Sequence, residues 1–348
     1  MFCKRCLAAV LCCCLLFALC ACGETSQGNT TTTVMSNTTE ATTTATEAAT
    51  TTEAEKTTAQ TTTQVTTTQT AATTLTTVSK SSITTRVTTT TVATTTTTIP
   101  TGPYEGPLKY KHSAGKAIII GCNQTDAPVD VPAYIDGNPV TNIENGAFQG
   151  CTWLVGITLP DGLKRIGGFA FKGCTALTTV AIPDSVTEIG DEAFRGCTEL
   201  TTATFPKKLK ELGEYSFYGC SKLTAAHLPS GLTTIGRAAF YQCKALAELT
   251  LPGTVNDFGN SVFYGCKSLT EVVFSSKATT VSGQTFYGCS ALTTITLPAG
   301  ITSIGKDAFK NCKALTTVKF GGSEADRAAI TVYTGNDVLS AATWEYAK

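Results

Sequence analysis

A phenylalanine that recurs every 23 residues is the feature that most constrains how this chain can fold. It stands at eight positions: Phe148, Phe171, Phe194, Phe217, Phe240, Phe263, Phe286 and Phe309. A cysteine follows each phenylalanine after three residues, and a leucine follows each cysteine after three more. Because all eight units keep this register, the pattern predicts a solenoid in which every unit is one coil that shares an apolar spine with its neighbours.

One unit illustrates the local structure that the pattern predicts. Val180 and Ile182 are two residues apart, as on the inner side of a short strand. Gly190 is expected to allow a tight bend. The following residues 191–195 begin with acids, which favours one short helical turn, and Gly196 fits a left-handed position that closes it. The prediction is therefore an α/β solenoid with one short parallel strand and one short helical turn in each repeat.

The repeat, L-x-x-I-x-L-P-x-x-L-x-x-I-G-x-x-A-F-x-x-C, resembles the leucine-rich repeat of the BspA-like bacterial surface proteins. The resemblance implies an N-terminal cap over residues 104–140, eight repeats over residues 141–320 and a C-terminal cap over residues 321–348. It also implies a surface molecule that binds other proteins. Capped ends would block end-to-end stacking, so we expect a monomer.

The first residues have the composition of an export signal. Lys4 and Arg5 precede an apolar stretch over residues 7–19, which is too short to span a bilayer as a helix. The sequence that follows, Leu-Cys-Ala-Cys, resembles a bacterial lipobox that ends at Cys22. We therefore predict a lipoprotein signal peptide over residues 1–21 and lipidation of Cys22. An ordinary cleaved secretory signal is the alternative.

A threonine-rich stretch separates this signal from the repeats. Between residues 25 and 100, 38 of 76 residues are threonine and none is aromatic. Such a segment cannot bury enough apolar surface to offset the entropy of ordering it. Residues 22–103 are therefore predicted to be a disordered stalk, which would hold the repeats away from the outer face of the cytoplasmic membrane of a Gram-positive bacterium.

The cysteine column has three possible interpretations. Stacked thiols could fill a narrow apolar ladder, some neighbours could form disulfides, or the column could bind metal. The repeats lack the C-x-x-C pairs typical of metal sites, so we favour buried thiols and predict no metal. With Cys122, nine cysteines follow the stalk, and an odd number cannot be fully paired within a monomer.

Two columns of side chains are candidate binding sites. The outward strand positions form the first, and the residues selected there are Thr178, Thr179, Thr201, Thr202, Thr204, His227, Glu248, Glu271, Thr294, Thr296 and Lys319. Threonine is also typical of any solvated strand surface, which is the structural alternative. The second column comprises Tyr218, Tyr241, Tyr264 and Tyr287. It could be an aromatic platform for sugars or a partner protein, or a partly buried ladder that covers the phenylalanine core.

Charge and composition limit the classes of function. The 26 basic and 26 acidic residues balance, which argues against duplex nucleic-acid binding. Only two histidines occur, and we find no paired carboxylates, nucleophile motif or phosphate-binding loop. We therefore predict a non-catalytic surface lipoprotein without cofactors, which binds an unknown protein in adhesion. The alternative is a carbohydrate-binding module that attaches cells to polysaccharide.

Overall fold

The computed structural model describes residues 62–65, 97–100 and 103–347. Strands β1 (Thr62–Val65) and β2 (Thr97–Pro100) pair in antiparallel fashion. These two short strands and residue 103 are the part of the predicted stalk that the structure describes. The remainder of the stalk prediction lies outside the described residues.

The repeats are preceded by a small set of strands. β3 (Leu108–Ser113) and β4 (Lys116–Cys122) form an antiparallel pair. β5 (Val129–Asp130) and β6 (Tyr134–Ile135) are shorter, and β6 pairs in antiparallel fashion with β7 (Asn138–Ile143). β4 pairs in parallel with β7, so this segment continues into the parallel stacking of the coils that follow.

Each coil contributes two short parallel strands, which form two columns. The first column contains β8 (Ile157–Thr158), β10 (Thr179–Ala181), β12 (Thr202–Thr204), β14 (Ala225–His227), β16 (Glu248–Thr250), β18 (Glu271–Val273), β20 (Thr294–Leu297) and β22 (Thr317–Phe320). The second contains β9 (Arg165–Ile166), β11 (Glu188–Ile189), β13 (Glu211–Leu212), β15 (Thr234–Ile235), β17 (Asp257–Phe258), β19 (Thr280–Val281) and β21 (Ser303–Ile304). Paired residues are 23 apart, as between Val180 and Ala203.

The prediction of a single strand in each repeat is therefore wrong. The second strand is only two residues long, as in β11, where Ile189 is buried and Glu188 is exposed. So short a segment has no periodicity of its own, and only its pairing with the neighbouring coil defines it as a strand.

The predicted helical turn is also wrong, because residues 190–197 form successive turns. In this segment three backbone amides donate to carbonyls of the next coil: Glu192 to Glu214, Phe194 to Ser216 and Gly196 to Tyr218. The reason lies in the backbone conformation, since Glu192 is left-handed with a φ of 55° and interrupts a helical path. Within the described residues, the α-helices are α1 (Glu324–Ala328) and α2 (Val338–Ala341), which follow the last repeat.

The phenylalanine column forms the continuous core that the sequence predicts. All eight rings are fully buried, and consecutive ring centroids lie 5.0–5.7 Å apart in stacked orientation. Such distances fall within the favourable range for aromatic pairs. The alignment of these rings confirms that each 23-residue unit is one coil of a solenoid.

Two glycine columns serve different purposes. Gly196 has a φ of 74°, which confirms the predicted left-handed position. The tight bend predicted at Gly190 is not the reason for a glycine there, because Gly190 is not among the residues with positive φ. A Cβ atom at Gly190 would instead lie 2.6 Å from the backbone nitrogen of Gly168, so a side chain would push two coils apart.

The segment after the last repeat extends both strand columns by one coil. β23 (Thr331–Val332) pairs with β21, and β24 (Thr343–Tyr346) pairs with β22. The Arg327 guanidinium lies 4.3 Å from the centroid of the Trp344 ring and donates to the Tyr346 hydroxyl at 3.0 Å. These contacts hold the helix α1 against the last strand.

Candidate functional site

The cysteine column is a ladder of free thiols. All nine cysteines of residues 103–347 are unpaired, and seven of them, from Cys174 to Cys312, are buried. Each of these seven donates its thiol hydrogen to the carbonyl of the phenylalanine in the preceding coil, with Sγ–O distances of 3.0–3.3 Å. This geometry confirms the buried-thiol interpretation. These seven buried thiols therefore support the stack.

The described part of the chain contains no group of three or more His, Cys, Asp and Glu side chains arranged to hold a metal ion. None of its helices is long and apolar enough to cross a bilayer. Cys22, the predicted lipidation site, lies outside the described residues.

The outward strand residues lie on the surface, where the sequence predicts them. Thr179, Thr202 and Thr204 are exposed, whereas Thr201, Thr294 and Thr296 are half-buried. Several hydroxyls of this face are used within the fold. Thr178 and Thr201 each donate to the backbone carbonyl of the equivalent residue in the preceding coil, at 3.2 and 3.0 Å. These threonines stabilise the stacking of coils.

The charged members of the strand face pair with one another. His227 lies 3.8 Å from the Glu248 carboxylate, and its other ring nitrogen lies 3.2 Å from the Thr250 hydroxyl. Glu271 lies 3.6 Å from the Lys319 ammonium. The four side chains are 49–75% exposed, so these contacts contribute little stability. The face combines small polar groups with self-paired charges.

The tyrosine column forms a continuous stack. From Tyr218 to Tyr287, consecutive ring centroids lie 4.4–4.6 Å apart, and ring planes differ by 5–10°. We call these four residues the tyrosine ladder. Because each ring covers the face of the next, only ring edges and hydroxyls can reach solvent. A sugar ring therefore cannot stack on these faces as it would on an open aromatic platform.

Cations close both ends of the tyrosine ladder. The Arg195 guanidinium lies 4.7 Å from the centroid of the Tyr218 ring, and the Lys310 ammonium lies 5.9 Å from that of Tyr287. Burial, followed by the neighbouring tyrosines, raises the pKa of Tyr241, so this phenol stays neutral at physiological pH. The result is an ordered row of phenol groups between two positive charges.

The cation at the first end of the ladder belongs to a wider cluster. The Glu192 carboxylate accepts from Arg195 at 2.9 Å and from Lys172 at 2.7 Å, and its side chain is mostly buried. Arg195 also lies 5.8 Å from the centroid of the Tyr215 ring. This network orders the arginine side chain.

Two grooves run along the side of the coils, one between the second strand column and the turns and the other along the turns. The larger has a volume of about 840 Å³ and is lined by both acids and bases, among them Glu211, Glu214 and Lys210. The smaller has a volume of about 420 Å³. Arg237 borders both. Sequence reasoning missed these grooves, although their side chains recur at the same 23-residue interval as the core.

The repeat region matches a known family. A family model described as the BspA type leucine rich repeat region matches six copies, over residues 135–243 and 210–326. This family is defined by a structural repeat and does not correspond to a class of enzyme. A comparison with curated proteins gives no match.

Three solved structures are similar to the chain, each at 22% identity. The match to a leucine rich repeat protein of T. pallidum spans 69% of this chain and 95% of that protein, with a TM-score of 0.45. The match to a leucine rich cell surface protein of Faecalibacterium prausnitzii spans 66% of this chain and 97% of that protein, with a TM-score of 0.34. The match to a leucine-rich repeat protein of Bacteroides ovatus spans 70% of this chain and 91% of that protein, with a TM-score of 0.33.

Proposed function

Because the chain belongs to the BspA-type leucine-rich repeat family, we propose that it is a non-catalytic, lipid-anchored surface protein that binds another protein. In this proposal, Cys22 carries the lipid and residues 22–103 act as the stalk of a Gram-positive surface protein. The repeats display a binding surface away from the membrane. Solenoids of stacked repeats typically bind partners along such extended surfaces.

We place the partner on the tyrosine ladder together with Arg195 and Lys310, which we call the ladder surface. The observation that carries this choice is the stack of half-buried tyrosines held between two cations. Tyrosine and arginine dominate the energetics of protein interfaces. Rings that are already ordered lose little conformational entropy when a partner binds, and their hydroxyls supply hydrogen bonds.

The strand face is the weaker candidate for the same role. It exposes threonine, and its Glu271 carboxylate and Lys319 ammonium already lie 3.6 Å apart. It contains none of the tryptophan, tyrosine or arginine side chains that anchor most interfaces.

The binding proposal is tested with the full chain and a panel of immobilised extracellular matrix proteins. We compare two double variants. The first carries Tyr241→Ala and Tyr264→Ala, and the control carries Glu248→Ala and Glu271→Ala on the strand face. We expect the first double variant to lose at least about tenfold in affinity for any matrix protein bound by the wild type, because interface tyrosines contribute 1–2 kcal/mol or more. The control should change affinity less than twofold. Unchanged binding by the tyrosine double variant would show that the partner binds somewhere other than the ladder surface.

The anchoring proposal has a separate test. We expect the full chain to be in the membrane fraction of an expressing Gram-positive cell and to incorporate labelled fatty acid. The Cys22→Ala variant should lose both properties. Fatty acid incorporation that persists in this variant contradicts lipidation at Cys22.

A further inference from the structure

The smaller groove exposes an unusual excess of hydrogen-bond donors. Arg237 and Lys306 stand at the same position of two coils that are three repeats apart, which corresponds to roughly 14 Å along the solenoid. Asn260 and Gly283 occupy that position in the two coils between them. Gly283 carries no side chain, so the middle of the groove is open to a ligand.

The two amide side chains of the groove are oriented by contacts between coils. The Asn260 Oδ1 accepts from the Gly283 backbone amide at 3.1 Å. The Gln284 Oε1 accepts from the Ser261 hydroxyl, also at 3.1 Å. Each carbonyl oxygen already accepts one bond between coils, and the NH₂ groups, which can only donate, face the groove as its amide donors.

The positive charges of the groove are available to a ligand. Within the described part of the chain, no carboxylate lies within 4 Å of the charged groups of Arg237 or Lys306. The one acid of the lining, Asp307, is held by Lys310 at 3.2 Å, and its side chain is largely buried. The Arg237 guanidinium lies 5.5 Å from the centroid of the Tyr215 ring, which orders its planar fork for a carboxylate.

We propose that this groove, lined by Arg237, Asn260, Ser261, Gln284 and Lys306, binds a linear polysaccharide that carries carboxylates, such as a uronic acid polymer. The guanidinium and ammonium groups take carboxylates, and the two amides donate to ring or hydroxyl oxygens. This site is distinct from the ladder surface and takes a different class of ligand. It rests on the carbohydrate-binding alternative and does not depend on protein binding.

The spacing of the coils favours a polysaccharide over an acidic peptide. Successive coils lie about 4.8 Å apart, whereas an extended peptide advances about 3.3 Å per residue and loses register after one or two coils. A sugar unit in a linear polymer is close in length to one coil, so each unit meets an equivalent position. The lining residues are polar apart from the glycine, which suits a ligand without apolar side chains.

The test measures binding of the full chain to polygalacturonate, with neutral dextran and poly-L-glutamate as comparisons. The key variant carries both Asn260→Asp and Gln284→Glu. It retains the Oδ1 and Oε1 atoms that accept the hydrogen bonds between coils, and it replaces the two NH₂ donors with negatively charged carboxylates. The fold should therefore persist, and circular dichroism verifies it. We expect affinity for polygalacturonate to fall at least about tenfold, because two hydrogen bonds to the polymer are lost and repulsion of its carboxylates is added.

A second pair of variants separates the site from general charge. The double variant Arg237→Ala, Lys306→Ala should weaken binding to polygalacturonate by a similar factor. The control Lys277→Ala with Lys313→Ala removes the same charge from exposed lysines outside the groove and should change affinity less than twofold. Binding should also weaken as salt is raised.

Three results would overturn the proposal. They are no binding of wild type to polygalacturonate, equal losses in the groove and control variants, and tighter binding to poly-L-glutamate than to polygalacturonate. None of these results bears on the ladder surface, because the groove variants leave the four tyrosines, Arg195 and Lys310 unchanged. Failure of the matrix protein panel would likewise leave the groove proposal standing.

Discussion

Raising the pH from 8 to 10 should destabilise this protein through its thiol ladder. Burial raises the pKa of Cys312 to about 12 and that of Cys243 well above its ordinary value of 9.0. Burial also raises the pKa values of Cys174, Cys220, Cys266 and Cys289. For Cys197, the hydrogen bond with Cys220 and then burial have the same effect. The folded protein therefore keeps these seven thiols protonated at a pH where the unfolded chain ionises them.

The sign and size of the effect follow from proton linkage. A raised folded pKa stabilises the protein fully below the unfolded pKa of 9.0, and this stability is lost as pH rises toward the folded pKa. A thiol whose folded pKa stays well above 10 lowers the free energy of unfolding by about 0.4 kcal/mol at pH 9 and about 1.4 kcal/mol at pH 10. Cys174, Cys266 and Cys312 together therefore remove roughly 4 kcal/mol at pH 10, which is a large part of the stability of a typical domain.

The assay is the denaturant midpoint of the full chain between pH 7 and 10 under reducing conditions, compared with that of Cys243→Ser. A serine hydroxyl can donate to the same Phe217 carbonyl but does not ionise in this range. The stability of the variant should therefore fall less steeply above pH 9, by up to about 1.4 kcal/mol per pH unit. Identical pH dependence in the two proteins would refute the reasoning, because it would mean that this thiol ionises equally in the folded and unfolded states.

Three further predictions concern the stability of the full chain, each measured as a shift of the denaturant midpoint. Phe217→Ala should cost roughly 3–5 kcal/mol, because the ring is fully buried and stacks on both neighbours; a loss below 1 kcal/mol would contradict the stacked core. Ser216→Ala should stabilise the protein by about 1 kcal/mol, since the buried hydroxyl has no hydrogen-bond partner among the described residues; a destabilised variant would imply a hidden partner. Gln242→Gly should stabilise it by about 1 kcal/mol because Gln242 has a φ of 57°, whereas Gln242→Ala keeps the strain and should give no gain.

The core of the fold could be predicted from the sequence because burial recurs with the repeat. Every 23 residues the chain needs another large apolar ring, and Phe194 stacks on Phe171 and Phe217 as that spacing requires. The first strand column was predictable for the same reason, since Val180 and Ile182 alternate with exposed residues. The outward position of the strand-face threonines and the stacking of the tyrosine column follow directly from this register.

The conformation of the turns could not be predicted from the local sequence pattern. Acids followed by Ala-Phe-Arg suit a helical turn, but the amides of Glu192 and Phe194 donate to the next coil instead of to their own. These bonds join residues 22 apart in the sequence, so no short-range propensity signals them. The two-residue strands of the second column are hidden for the same reason.

The sequence by itself determined the repeat and the register of the core, and lipid attachment at Cys22 stays a prediction. Only the tertiary structure decided what the surface columns present. The tyrosines have covered ring faces because neighbouring coils place the rings in contact. The groove exposes amide donors because contacts between coils orient the side chains of Asn260 and Gln284. Burial follows local composition, whereas the direction of a hydrogen bond depends on which coil lies next to it.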